Sequence, residues 1–150
     1  MLEFLVTIAL ALVLARLVWI DLHSFRLPDT LTLPLIAAGV GLSAVSGTPQ
    51  LWMSVAGGIV GYALFWIVGT VYHRRTGIDG LGLGDAKLFA ASGTWLGLLF
   101  LPHVLLISSL AGLVFALITR KTSQQRLAFG PWLALGFWVI WLTNRVGWTM

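Results

Sequence analysis

Long apolar runs broken by short polar ones make up the chain. The first, Leu2 to Ile20, has the length of a membrane-crossing helix. Its only early charge is Glu3, and it lacks a basic start or an Ala-x-Ala exit, so it reads as a retained helix and not a cleaved signal. Arg16 can carry its charge to the interface on its long stem. After the polar segment Asp21 to Thr30, a second span runs from about Leu31 to Val45, with Pro34 in its first turns, where proline is tolerated. Ser46-Gly47-Thr48-Pro49-Gln50 signals a turn. The third span is Leu51 to Tyr72, where Gly57 and Gly61 offer close approach to a neighbouring helix. His73 to Gly84 is the longest polar connection. The fourth span starts at or just after Asp85 and ends near Leu101, with a second close-packing pair in Gly93 and Gly97. Pro102 and His103 form a minimal turn before a fifth span, Val104 to Thr119. Beyond the basic loop Arg120 to Arg126, Phe129-Gly130-Pro131 punctuates the start of a sixth span, about Trp132 to Thr149.

Composition agrees with this pattern. Of the 150 residues 59% are apolar and 9% charged, and the mean hydropathy is +0.97. Soluble domains carry about 25% charged residues. The expectation is an all-α membrane protein of six transmembrane helices, with residues 1–150 forming a single domain. Cysteine is absent, which excludes disulfides and a thiolate zinc site. The net charge of +4 reads as topology: eight of the nine Lys and Arg fall in or beside the loops after spans one, three and five, and only Arg145 lies on the other side. Both termini are therefore expected on the non-cytoplasmic side. Asp21, Asp29, Asp79 and Asp85 then all lie at the cytoplasmic side. Nothing in the chain resembles a nucleic-acid-binding module, so no such partner is expected.

In so apolar a chain, Gly82-Leu83-Gly84-Asp85-Ala86-Lys87 stands out as a polar cluster at the mouth of a hydrophobic helix. The bare glycines let other backbone approach the carboxylate. The plain alternative is that Asp85 only caps the helix. Asp21 ends span one and Asp85 begins span four, at the same depth and on the same face. If the two helices are neighbours, the carboxylates can meet. Two carboxylates in a partly apolar site do not both ionise easily, and one proton is held between them. One can then take a proton from water while the other donates to a peptide carbonyl, with no covalent intermediate. That is the chemistry of an aspartic protease.

Three stretches carry a resemblance: the run from Asp21 through Leu35, Gly82-Leu83-Gly84-Asp85-Ala86-Lys87-Leu88, and Phe129-Gly130-Pro131-Trp132. Together, and in this order, they resemble the type IV prepilin peptidases, intramembrane aspartic proteases of the Gly-x-Gly-Asp class. The resemblance implies that Asp21 and Asp85 are the catalytic pair. It implies a prepilin-like or preflagellin-like substrate with a short basic leader, cut at the cytoplasmic end of its membrane helix. It also implies a multi-pass protein of the cytoplasmic (inner) membrane, needing no metal and no cofactor. The full-length bacterial enzymes add a cysteine zinc site and N-methylate the new amino terminus. This chain, without cysteine, resembles the peptidase core alone, similar to the short forms that serve Tad-type pili or archaeal preflagellins. Presenilins and signal peptide peptidases share the Gly-x-Gly-Asp motif, but Asp21 follows Ile20 and not tyrosine, and Phe129-Gly130-Pro131-Trp132-Leu133 is not Pro-Ala-Leu.

Gly82, Gly84, Lys87 and Asp29 form the expected supporting or substrate-binding set. Asp29, after Pro28 and before a helix, reads as a cap. Lys87 either tunes Asp85 or is an ordinary positive-inside residue. A basic leader would meet Asp29, Asp79 or lipid headgroups in preference to the arginines around them. Asp79 otherwise reads as a solvated loop residue and His23 as an interface residue. His73 and His103 are expected on opposite sides of the membrane, which excludes a metal held by both. Two other classes stay in competition. A small ion-coupled transporter would want midplane charge or an inverted repeat, and neither is visible. A non-catalytic pilus-assembly subunit would not need both aspartates.

Overall fold

The computed structural model describes residues 1–47, 49–77, 82–119 and 128–147. Asp79, Arg120, Lys121 and Arg126 lie outside the described residues. The described chain forms six α-helices: α1 Leu2–Ser24, α2 Asp29–Ser46, α3 Leu51–Thr76, α4 Leu83–Leu96, α5 Leu101–Thr119 and α6 Gly130–Gly147, with one 3-10 turn at Leu98–Phe100. Four stretches, Glu3–Ser24, Asp29–Ser46, Leu51–Thr76 and Leu98–Thr119, are long and apolar enough to cross a membrane. Exposed apolar side chains such as Leu12, Trp52, Ile59, Leu106, Leu113 and Leu117 stud the outer faces of α1, α3 and α5. Such surface suits lipid and not water.

The core is α4. Every residue from Leu88 to Leu96 is buried, and α2, α3, α5 and α6 all pack on it. The glycines of α3 make the closest of these contacts possible. A Cβ on Gly57 would stand 2.5 Å from the Gly93 carbonyl oxygen, and one on Gly61 would stand 3.0 Å from that of Phe89. The two helices thus touch backbone to backbone. Ser54 Oγ adds a hydrogen bond to the Thr94 carbonyl at 2.6 Å. On the other side, Trp95 Nε1 donates to the Leu35 carbonyl of α2 at 2.8 Å, across the space Gly39 leaves open. Trp95 also meets Trp141 of α6 edge-on at 5.3 Å.

Several element boundaries differ from the sequence expectation. α1, α2 and α3 run a few residues further into the polar segments than hydropathy suggests, because their backbone hydrogen bonding continues to caps at Phe25, Gly47 and Gly77. The fourth helix does not reach Leu101. Gly97 takes φ +90, which residues with a Cβ rarely adopt, and this turns the chain. Gly97 therefore ends α4 instead of packing beside Gly93. Pro102 lies in the first turn of α5 and not in the connecting turn, a place where its missing N–H costs nothing. At 14 residues, α4 is about 21 Å long, shorter than the roughly 30 Å of bilayer hydrocarbon. Its flanks are protein, so it does not need to match the lipid.

Candidate active site

Asp21 lies one turn before the end of α1, where its backbone carbonyl accepts the Phe25 N–H at 2.9 Å. Its side chain is only 5% exposed. The carboxylate points at the start of α6, and the Gly130 backbone N–H faces it. Oδ2 is buried and has no partner of hydrogen-bond geometry among the described residues. An oxygen left in that state costs free energy, a cost that catalytic groups are among the few to carry.

Asp85 is the third residue of α4, with Gly82 in the N-cap position. Its carboxylate faces the Gly82 backbone N–H and feels the negative charge of Asp21. The structure therefore sets the two predicted carboxylates near enough to feel each other's charge. Asp85 is not the residue that starts the helix: α4 begins two residues earlier, at Leu83, and Asp85 reaches back from its first turn.

Gly84 explains how the two helix ends come so close. A Cβ there would lie 2.8 Å from Leu27 Cβ and 3.2 Å from the Leu27 nitrogen. Only a bare Cα lets the α1–α2 connection rest on the first turn of α4. A second tie lies beside it. Lys87 Nζ donates to Asp29 Oδ1 at 2.5 Å. This corrects the reading of Asp29 as a cap. Pro28 is the N-cap, with extended backbone at φ −72 and ψ 136, and no side chain caps the helix. Asp29 is the first helical residue, and its carboxylate goes to the nearby ammonium.

The other candidates fall outside this group. His23 is exposed, with Nδ1 2.7 Å from the Trp19 carbonyl oxygen and its ring 4.8 Å from that of Trp19. His73 lies in the last turn of α3, at the carboxylate end, and His103 in the first turn of α5, at the other end. Among the described residues no three His, Asp or Glu side chains gather as a metal would need. A cleft of about 190 Å³ opens between α3 and the start of α4, lined by Trp66, Gly69, Thr70, His73, Gly82 and Leu83 among others. It lies beside the first turn that carries Asp85.

Gly130, quoted above within the third motif, is the site residue to which sequence reasoning gave no role. The signal was present as a glycine, and not a capping Ser, Thr or Asp, just ahead of Pro131 at a helix start.

Comparison with known proteins bears on the same residues. The type IV leader peptidase family matches residues 8–117. A prepilin leader peptidase/N-methyltransferase of Neisseria gonorrhoeae is 41% identical over 135 residues, which cover 90% of this chain and 47% of that protein. That of Aeromonas salmonicida (strain A449) is 39% identical over 150 residues, 96% of this chain and 52% of the relative. That of Escherichia coli (strain K12) is 42% identical over 124 residues, 78% and 53% respectively. The chain spans about half the length of the curated relatives it matches. No solved structure matches.

Proposed function

Because this chain belongs to the type IV leader peptidase family, we propose that it is an intramembrane aspartic endopeptidase that removes the short basic leader from a prepilin-like or preflagellin-like precursor. Residues 1–150 act as one peptidase core in the inner membrane. All six helices lie within the bilayer, with both termini on the non-cytoplasmic side and the carboxylates at the cytoplasmic face. The distribution of Lys and Arg supports this orientation.

What carries the reading is that Asp21 and Asp85, from helices far apart in sequence, lie at one end of the bundle within reach of each other's charge. The pair holds one proton between them. The ionised member takes a proton from water, and the water oxygen attacks the scissile carbonyl carbon. The protonated member gives its proton to the carbonyl oxygen. As the tetrahedral species collapses and the C–N bond breaks, the newly protonated member gives its proton to the leaving amine and the other takes back the proton of the hydroxyl on the former carbonyl carbon, which returns the pair to its starting state. Gly82 and Gly130 hold the carboxylates by backbone, and Gly84, Lys87 and Asp29 hold the two helix ends in register. The proposal covers peptide cleavage alone.

The test is purified protein in vesicles with a prepilin-like precursor, read by mass of both products, with chelator added in parallel. We expect one cut at the cytoplasmic end of the precursor's apolar helix, unaffected by chelator. Loss of cutting with chelator, or a covalent adduct with the enzyme, would contradict the mechanism.

A further inference from the structure

At the start of α6 three amides compete for partners. Pro131 has no N–H. The Trp132 and Leu133 amides both donate to the Phe129 carbonyl, each at 3.1 Å. The Gly130 N–H is the one turned to the Asp21 carboxylate. The first turn of a helix also favours negative charge nearby. Gly130 is not among the residues with left-handed backbone, so its backbone conformation does not itself demand glycine. Space does. A Cβ at position 130 would stand 2.5 Å from Asp21 Oδ2, 3.0 Å from Cγ and 3.5 Å from Cβ. The first is a collision with the carboxylate oxygen, and the second is tighter than an ordinary contact, so the carboxylate would have to move.

The approach of α6 is fixed by aromatic packing. The Phe129 ring lies 6.3 Å from that of Phe65 on α3, and Phe65 lies 4.5 Å from Phe89, one helical turn beyond Asp85. The element that presents Gly130 to one carboxylate is thereby packed, through two rings, on the helix that carries the other.

We propose that Gly130 is a positioning residue for Asp21: its missing side chain admits the carboxylate to the start of α6, and its amide aims that carboxylate at Asp85. This rests on the peptidase reading above, and it assigns α6 a part in the site that the two-aspartate scheme does not require. The partner in the contact is the side chain of Asp21, with Asp85 the charged group facing it from α4.

The experiment compares wild type, Gly130→Ala and Gly136→Ala in vesicles. Gly136 is the control, because a Cβ there would strike the α5 backbone, 2.7 Å from the Val104 carbonyl oxygen, well away from Asp21. Two readouts are taken: kcat and KM on a prepilin-like precursor, and the carboxyl infrared band of Asp21, isolated by subtracting the spectrum of Asp21→Asn. We expect Gly130→Ala to lower kcat by about tenfold or more with KM little changed, since small displacements of reacting groups cost that much, and to shift the Asp21 band. Gly136→Ala should lower thermal stability and leave both the band and the kcat of the folded fraction in place. Normal kcat in Gly130→Ala, or an unmoved band, overturns the proposal. If wild type cuts no precursor, the peptidase reading fails by itself, and the infrared band alone still decides the contact. Should Gly130→Ala accumulate poorly, adding Asp21→Ala removes the colliding atoms and should restore accumulation; failure to restore it also overturns the proposal.

Discussion

Asp85 is held from within its own helix, by the Gly82 amide, whereas Asp21 is held from a neighbouring one, by Gly130. That difference decided what could be read from sequence. The Gly-x-Gly-Asp run sits in one stretch, so Asp85 and its glycines were legible as a cluster. Asp21 was legible as a boundary carboxylate on the same side. The contact of Gly130 with Asp21 joins residues far apart in the chain, and no local pattern reports it. Asp29 was misread for a related reason: a cap and an ion-pair partner look alike until Lys87, on another helix, is placed beside it. Half-exposed ion pairs of this kind contribute about 1 kcal/mol or less to stability, and Asp29 is 58% exposed. The tie matters through geometry, because it closes the α1–α2 connection onto α4. Asp29→Asn and Lys87→Met should therefore each lower cleavage by up to about a hundredfold with only a small fall in melting temperature, and the swap Asp29→Lys with Lys87→Asp should restore part of the rate. A single variant as inactive as loss of a dyad aspartate would move Lys87 or Asp29 into the chemistry itself.

Among the elements, α4 carries the most. It is short, buried along nearly its whole length, and supplies Asp85 from its first turn. Its packing on α3 was foreseeable in part. The Gly57 and Gly61 pair predicts a close helix contact, and the structure puts Gly93 and Phe89 against it. The break at Gly97 was not foreseeable from hydropathy. The stretch Leu96 to Leu101 is apolar apart from that glycine, and a chain reversal inside an apolar stretch leaves no polar mark. Pro102 compounds the misreading, because a proline in a helix's first turn and a proline in a loop have the same neighbours. The backbone contact at Gly93 gives a direct prediction. Gly93→Ala would drive a methyl into the Gly57 carbonyl, and overpacking of this kind costs about 1–3 kcal/mol. The unfolding midpoint in a denaturing-detergent titration should fall accordingly, and an unchanged midpoint would mean that α3 and α4 are free to separate.

For the molecule as a whole, hydropathy alone identified an all-helical, multi-pass membrane protein, because lipid leaves little choice but helices for so apolar a chain. In the proposed orientation, which the asymmetry of Lys and Arg supports, the end of the bundle that carries the carboxylates faces the cytoplasm. The helical, multi-pass character was legible since it depends on composition along the chain. The fold's contribution is convergence: the ends of α1, α4 and α6 meet, and with them Asp21, Asp85 and Gly130. The account stands or falls on whether those two aspartates act as one unit. The most direct measurement is cleavage of a prepilin-like precursor by wild type, Asp21→Asn, Asp85→Asn and the double variant, each confirmed as folded in the membrane. We predict that wild type cuts, that either single substitution abolishes cutting, and that the double variant is no worse than either. Cleavage that survives Asp21→Asn or Asp85→Asn would contradict the account.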